Sequence, residues 1–498
     1  MPQQNLELPD EAMHDKLKHR WAVRAALYFL AFFGIGLARW FQNSFDNPSI
    51  EQIAYHLRYS EGLVADTGGA FVVTFLVECV AVTMVFAALA VLVEGAVLHH
   101  WPQAARTSRA GTLLGWGART IPGLALVFST FTMATQLSAP IYLRSLFGKD
   151  YFGEHYVAPS TVQLRRGDLK NLVLIYVEGL ETTYGDSELF GKDLLQGLRA
   201  LGGTTFNQYT PAPGTAWTMG GLVGTQCGIP LKVMSLFDWS KASEGLTTFL
   251  PNAVCLGDVL KGFGYRNVFL GGARLRFAGK EQFLASHGYQ ERYGRSEWFR
   301  LGAGIGDMND WGLYDDELFA RAKVKLRELH QRGGRFNLTL LTLDTHHAFG
   351  FYSRRCKNEG VTDFEGIVDC TARQVAEFVQ SAEQEGLLDN TRVVILGDHL
   401  AKPNPAYAKL QRAPQRTIFN AFIPASAAMK ATDKILPFDV YPTILEFVGI
   451  DVVGGRLGLG YSALAEEEPT QRSSQEANAL MSEVNNPSEA YTNLWRRP

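Results

Sequence analysis

Hydrophobic positions follow two regimes along the chain. Up to about residue 142 they form long, nearly unbroken runs: Trp21 to Phe41, Ala70 to Leu98, and about Ile121 to Tyr142. Each meets or exceeds the roughly 20 residues a helix needs to cross hydrocarbon. The first run has a long apolar core and two more runs follow it, which reads as a membrane anchor rather than a cleaved secretion signal. Three transmembrane helices are therefore expected, at about 21–41, 70–98 and 121–142. After about residue 170 the runs shorten and end in polar or glycine residues: NLVLIYVEGLE from 171, FNQYTP near 205–211, YRNVFLGG at 265–272, FNLTLLTLDTHH at 336–347 and RVVILGDH ending at 399. Helical stretches such as Asp315 to Arg332 and Thr371 to Glu385 separate them. Strands alternating with helices predict an α/β sheet sandwiched between helices. The expected organisation is a membrane domain over 1–142, a linker over 143–169, a catalytic α/β domain over 170–465, and a polar, loosely ordered tail over 466–498.

Charge orients this scheme. Lys16, Lys18, His19 and Arg20 precede the first run, and Arg106, Arg109 and Arg119 lie between the second and third. The loop between the first two carries Asp46, Glu51, Glu61 and Asp66 against a single Arg58. The excess of Lys and Arg assigns the N-terminus and the second loop to the cytoplasm, and everything after residue 142 to the outside. Cysteine usage agrees. Cys79 reads as a buried small side chain in the second run, whereas Cys227, Cys255, Cys356 and Cys370 are an even set suited to an oxidising compartment. A Cys356–Cys370 bridge across a polar, Gly-containing stretch is the better supported pairing, and Cys227–Cys255 the weaker. A net charge of −3 offers no basic surplus, so no nucleic-acid partner is expected. Glu78 and Glu94 fall in or near the second run and are minor candidates for a headgroup or helix-packing contact.

The candidate chemistry sits at strand ends, where α/β sheets collect ligands. Glu178 closes the first strand, and Asp398 with His399 closes a late one. Two carboxylates and an imidazole suit Mn²⁺, Mg²⁺ or Zn²⁺. Glu181 is an equally acidic neighbour. In PAPGTAWTMGGLVGTQCGIPL (211–231), Pro and Gly precede Thr215 and small residues follow. That pattern puts Thr215 at a helix N-terminus, where backbone N–H groups favour an anion and a cation can turn a hydroxyl into a nucleophile. A plain Thr N-cap is the commoner outcome of such a pattern, and Thr218 is the rival hydroxyl.

The segments NLVLIYVEGLETTY, GTAWTMGGLVGTQCGIPL, LRFAGKEQF, DWGLYDDELF, LTLDTHHAFGF and LGDHL, in this order over about 171–400, resemble one branch of the alkaline-phosphatase (sulfatase) superfamily. That branch holds the phosphoglycerol transferases and the lipoteichoic acid synthases. The resemblance implies a sulfatase-like α/β/α catalytic domain and a divalent metal, Mn²⁺ first, held by Glu178, Thr215, Asp398 and His399. It implies that Thr215 is the nucleophile, passing through a phospho-threonine, and that His346 protonates the leaving alkoxide. It makes His346, His347, Phe277 and Lys280 substrate contacts, Lys280 standing where related synthases carry arginine. The lysine keeps the charge but loses the bidentate fork. The implied reaction moves a glycerophosphoryl group from a phospholipid donor, phosphatidylglycerol, to a glucan acceptor. The implied setting is a multi-pass inner-membrane protein with a periplasmic catalytic domain. A phosphoethanolamine transferase or a non-catalytic membrane receptor of the same fold are the alternatives. A sulfatase is disfavoured, because Thr215-Ala-Trp-Thr lacks a Cys/Ser-x-Pro-x-Arg context.

Overall fold

The computed structural model describes residues 10–45, 48, 50–59, 69–100, 109–232, 248–429, 434–464 and 472–496. The chain forms two compact units: 1–50 with 68–142, and 51–67 with 143–498.

The first unit is helical. Helix α1 (Asp10–Phe45) contains an apolar stretch over Lys18–Ser44 long enough to cross a membrane. A second such stretch covers Val72–Val97, where a single π-type turn at Leu76–Ala81 interrupts the helix. The third expected span is bent: helices Thr120–Gln136 and Ala139–Ser145 meet at 63° and pass the length and apolarity test only as a pair. Two helices therefore have the dimensions of a span, and three if the bent pair is one. Glu94 forms an ion pair with Arg24 of α1, which gives that acid a helix-packing contact. Asp46, Glu61, Asp66 and Arg106, used above to orient the chain, lie outside the described residues.

The second unit is built on a six-stranded sheet. Its strands are β1 (Asn171–Val177), β2 (Tyr265–Gly271), β3 (Tyr289–Tyr293), β4 (Arg335–Leu341), β5 (Thr391–Gly397) and β6 (Asn420–Ile423), in the order β3-β2-β4-β1-β5-β6. All neighbours are parallel except the β5–β6 pair. Buried on both faces, the central strands read as continuous apolar runs, which is why they were legible. Along β1, Leu172, Leu174 and Tyr176 enter one core, while Val173, Ile175 and Val177 enter the other. The helix expected at Asp315–Arg332 has those bounds, and the one expected at Thr371–Glu385 starts earlier, spanning Phe364–Gln384. The expected strand near 205–211 is only a two-residue pairing, Gln208–Tyr209 with Lys434–Ile435, outside the main sheet.

Both ends of this unit depart from expectation. The stretch taken as a linker contains a helix, Tyr151–His155, with Tyr151 and Phe152 buried, and a strand, Leu164–Arg166, paired with Ile450–Val452. The tail is ordered where it is described. Its helices Ser474–Glu483 and Glu489–Trp495 bury Leu480, Tyr491 and Leu494 in the core, and Tyr491 accepts the backbone N–H of Lys232. A few well-spaced apolar residues suffice to dock an otherwise polar helix. Cys227–Cys255 and Cys356–Cys370 are both disulfides, and Cys79 is a buried free thiol.

Candidate active site

The strand order explains how distant residues meet. Parallel strands β2, β4, β1 and β5 lie side by side, so the segments leaving their carboxyl ends emerge on one rim. Glu178 follows β1, Asp398 and His399 follow β5, and Val177 is paired with Gly397. The two acids are thereby brought next to each other. His346 and His347 come from the segment after β4, and Phe277 and Lys280 from the segment after β2. Three of the four expected metal ligands converge: one atom each from Glu178, Asp398 and His399 lie within 4.8 Å of one another, all buried. Glu178, His346 and His347 form a second group by the same measure.

Backbone contacts fix which atoms face the cluster. Asp398 Oδ1 accepts the N–H groups of Gly179 (2.8 Å) and His399 (2.9 Å). Its Oδ2 is buried and has no hydrogen-bond partner among the described residues. His399 Nδ1 lies 2.7 Å from the carbonyl of Leu400, which puts the proton there and turns Nε2 toward the acids, 3.4 Å from Glu178 Oε1 and 3.4 Å from Asp398 Oδ2. Burial and the charge of Glu178 push the Asp398 carboxyl up to about 7. Burial alone would lower His399, but Asp398 and Glu178 outweigh it and raise the imidazole to about 9. Two buried carboxylates, one with an orphaned oxygen, and a buried imidazole nitrogen turned toward them are a donor set that a divalent cation satisfies. The residues present fit the group.

Glu181 is settled differently. It is fully buried and clamped by Arg416, whose Nε lies 3.0 Å from Oε1, and it accepts the Ala401 N–H. That acid holds a loop, and of the two it is Glu178 that lies in the cluster.

The expected fourth ligand, Thr215, lies in a different local setting from the one expected. Thr215 is fully buried, but its hydroxyl donates to the Ala212 carbonyl (2.7 Å) and accepts the Ala212 N–H (3.1 Å), closing a local turn. It does not open the helix. Trp217 is still extended (φ −152°, ψ 162°), and the helix Thr218–Cys227 begins at Thr218. The Thr218 hydroxyl donates to Glu178 Oε2 at 3.4 Å and also faces Asp398. The Pro-Gly signal before Thr215 marks a turn, and the helix starts one extended residue after Ala216. The small residues of this helix have a packing cause. A Cβ at Gly221 would collide with the Asp398 carbonyl, so glycine lets the helix lie directly on the end of β5.

Around the cluster, Lys280 is 4% exposed, and burial lowers its ammonium to about 8 against the pull of Glu178 and Asp398. His346 stacks on His347 (4.4 Å) and on Trp311 (4.4 Å), and Trp311 meets Phe277 edge-on at 5.3 Å. Burial lowers both histidines, His347 the more. His346 Nδ1 lies 2.6 Å from the His347 carbonyl, leaving Nε2 toward the cluster side. Sequence reasoning missed Trp217, Trp311, Lys402, Tyr55 and His56. Trp217 carried a usable signal as the neighbour of Thr218. Trp311 stands in DWGLYDDELF, a segment already singled out.

The model of the family described as Sulfatase matches residues 170–450. Phosphoglycerol transferase I of Citrobacter koseri is 40% identical over 293 residues, 57% of this chain and 38% of that protein. Phosphoglycerol transferase I of Shigella flexneri is 38% identical over 348 residues, 68% of this chain and 44% of that protein. The chain thus spans less than half the length of these relatives. Among solved structures, a protein of the alkaline phosphatase superfamily from Vibrio parahaemolyticus superposes with a TM-score of 0.51 at 17% identity, covering 71% of this chain and 99% of that one. The lipoteichoic acid synthase LtaP from Listeria monocytogenes gives 0.50 at 15% identity, covering 70% and 95%. At such identities these two report the fold, which agrees with the sheet and rim described above. The family model covers more than half of the chain, and the chain belongs to the sulfatase family.

Proposed function

We propose that this protein is a membrane-anchored phosphoglycerol transferase that takes a glycerophosphoryl group from phosphatidylglycerol and passes it to a periplasmic glucan through a phosphorylated Thr218. One observation carries the assignment of the nucleophile. Thr218, not Thr215, opens the helix beside Glu178, Asp398 and His399. The names of the relatives at 38–40% identity support the headgroup. The positive charges flanking the apolar runs support a catalytic unit outside the cytoplasm.

Glu178, Asp398 and His399 would hold the cation, with Thr218 as a further oxygen donor. When bound, such a cation lowers the pKa of a coordinated hydroxyl and offsets charge on phosphoryl oxygens. Mn²⁺ is the expected ion. Thr218 Oγ forms a bond to phosphorus as the bond from phosphorus to the diacylglycerol oxygen breaks, and the hydroxyl proton passes toward Glu178. The backbone N–H groups opening the helix point at the phosphoryl group and favour its charge. His346 protonates the departing alkoxide. An acceptor hydroxyl then attacks phosphorus and gives its proton to His346, the Thr218 oxygen–phosphorus bond breaks, and the threonine hydroxyl is restored. Lys280, beside the acids, offers its ammonium to a phosphoryl oxygen.

The test is a pair of variants incubated with headgroup-labelled phosphatidylglycerol, Mn²⁺ and glucan. Thr218→Ala should abolish diacylglycerol release, and Thr215→Ala should keep it in whatever fraction stays folded. Mass spectrometry of trapped wild type should find glycerophosphate on Thr218. Full turnover by Thr218→Ala, or an adduct on Thr215, overturns the assignment. Label appearing only with a phosphatidylethanolamine donor would make the protein a phosphoethanolamine transferase.

A further inference from the structure

Helix α2 (Ile50–Tyr59) lies between the first two apolar runs in sequence, yet from Glu51 onward it belongs to the catalytic unit. Tyr55 is fully buried there, and its hydroxyl donates to the Ala278 carbonyl at 2.8 Å. Ala278 sits in the turn between Phe277 and Lys280, with a left-handed backbone (φ +55°) that the tyrosine helps to fix. The next residue, His56, lies against two aromatic rings of the site: 6.4 Å from Trp217, which precedes Thr218, and 6.3 Å from Phe277. Lys402 acts electrostatically on His56, and also on His347 and His399.

The tautomer follows from the helix. His56 Nδ1 is 2.9 Å from the Gln52 carbonyl, so it carries the proton and Nε2 is a hydrogen-bond acceptor. Burial keeps the ring neutral. We infer that His56, between Trp217 and Phe277, forms a subsite for a neutral hydroxyl on the donor headgroup. An acceptor nitrogen suits the O–H of a glycerol headgroup. The inference rests on the proposed donor being a phospholipid with a polyol headgroup.

The experiment uses the full chain in detergent with two donors, phosphatidylglycerol and phosphatidylpropanol, the second lacking both headgroup hydroxyls. Diacylglycerol release gives kcat/KM for each donor on the same enzyme, so loss of folded protein cancels in their ratio. Wild type should prefer phosphatidylglycerol. His56→Ala should reduce that preference about 3- to 10-fold, the range of one neutral hydrogen bond, and His56→Gln should recover part of it. An unchanged ratio in His56→Ala, whether both rates fall together or neither does, overturns the subsite and leaves the phosphotransfer reading intact. Wild-type cleavage of neither donor overturns that reading and the subsite with it.

Discussion

Gly221→Ala tests the link between the sheet rim and the nucleophile. A Cβ at 221 would approach the Asp398 carbonyl oxygen well inside 3.0 Å and stand 3.0 Å from its carbon, where ordinary contacts begin near 3.4 Å. Both partners are backbone, at a strand end and within a helix, so no flexible side chain can yield. The helix must back away by about 1 Å to restore normal packing, at an overpacking cost of about 1–3 kcal/mol. Thr218 lies less than one turn earlier on the same helix and moves with it. Its 3.4 Å contact with Glu178 Oε2 is already long, and such a displacement takes it out of reach. Misplacement of reacting groups by this amount costs on the order of 10²-fold in rate. The assay is kcat/KM for diacylglycerol release beside a thermal melt. Gly262→Ala serves as control, since a Cβ there meets nothing within 4 Å and its effect on stability should stay within about 1 kcal/mol. Wild-type kcat/KM in Gly221→Ala would refute the claim that helix and strand end are packed to the limit.

Asp398→Asn should leave the metal-free protein as stable as wild type or more so, because it removes one of two neighbouring buried acids, while the melting shift produced by Mn²⁺ disappears. At 100 times its Kd, an ion bound only to the folded state adds about 2.7 kcal/mol to wild type, and a full shift in the variant would refute the ligand set. Replacing Cys356 and Cys370 by alanine opens a bridge spanning 14 positions and should cost about 3 kcal/mol, read by chemical denaturation; no loss would argue against the bond. Lys280, held down to about 8 by burial, loses its charge as pH rises through that value, so the KM for phosphatidylglycerol should climb on the alkaline side. Lys280→Met should flatten that limb of the profile, and a limb that persists assigns it to another group.

Much of the catalytic fold was readable because parallel strands buried on both faces appear as short apolar runs with polar ends. That same property exposed Glu178, Asp398 and His399, each the first polar residue or pair after such a run. The start of the helix after Thr215 was misread for a local reason. Pro and Gly announce a turn, but the sequence does not say how many extended residues follow it, and Trp217 delays the helix by three positions. The closing helices were missed because their docking residues, Leu480, Tyr491 and Leu494, are few among polar ones. His56 was invisible for a topological reason: nothing in its own neighbourhood tells that a loop between apolar runs folds onto residues 217 and 277.

The Arg416–Glu181 clamp bears on stoichiometry. Two acids three residues apart, Glu178 and Glu181, follow strand β1, and with Asp398 they would leave three buried negative charges on one rim. A guanidinium already neutralises one of them from within the protein. What remains, Glu178 and Asp398, matches the charge of a single doubly charged guest.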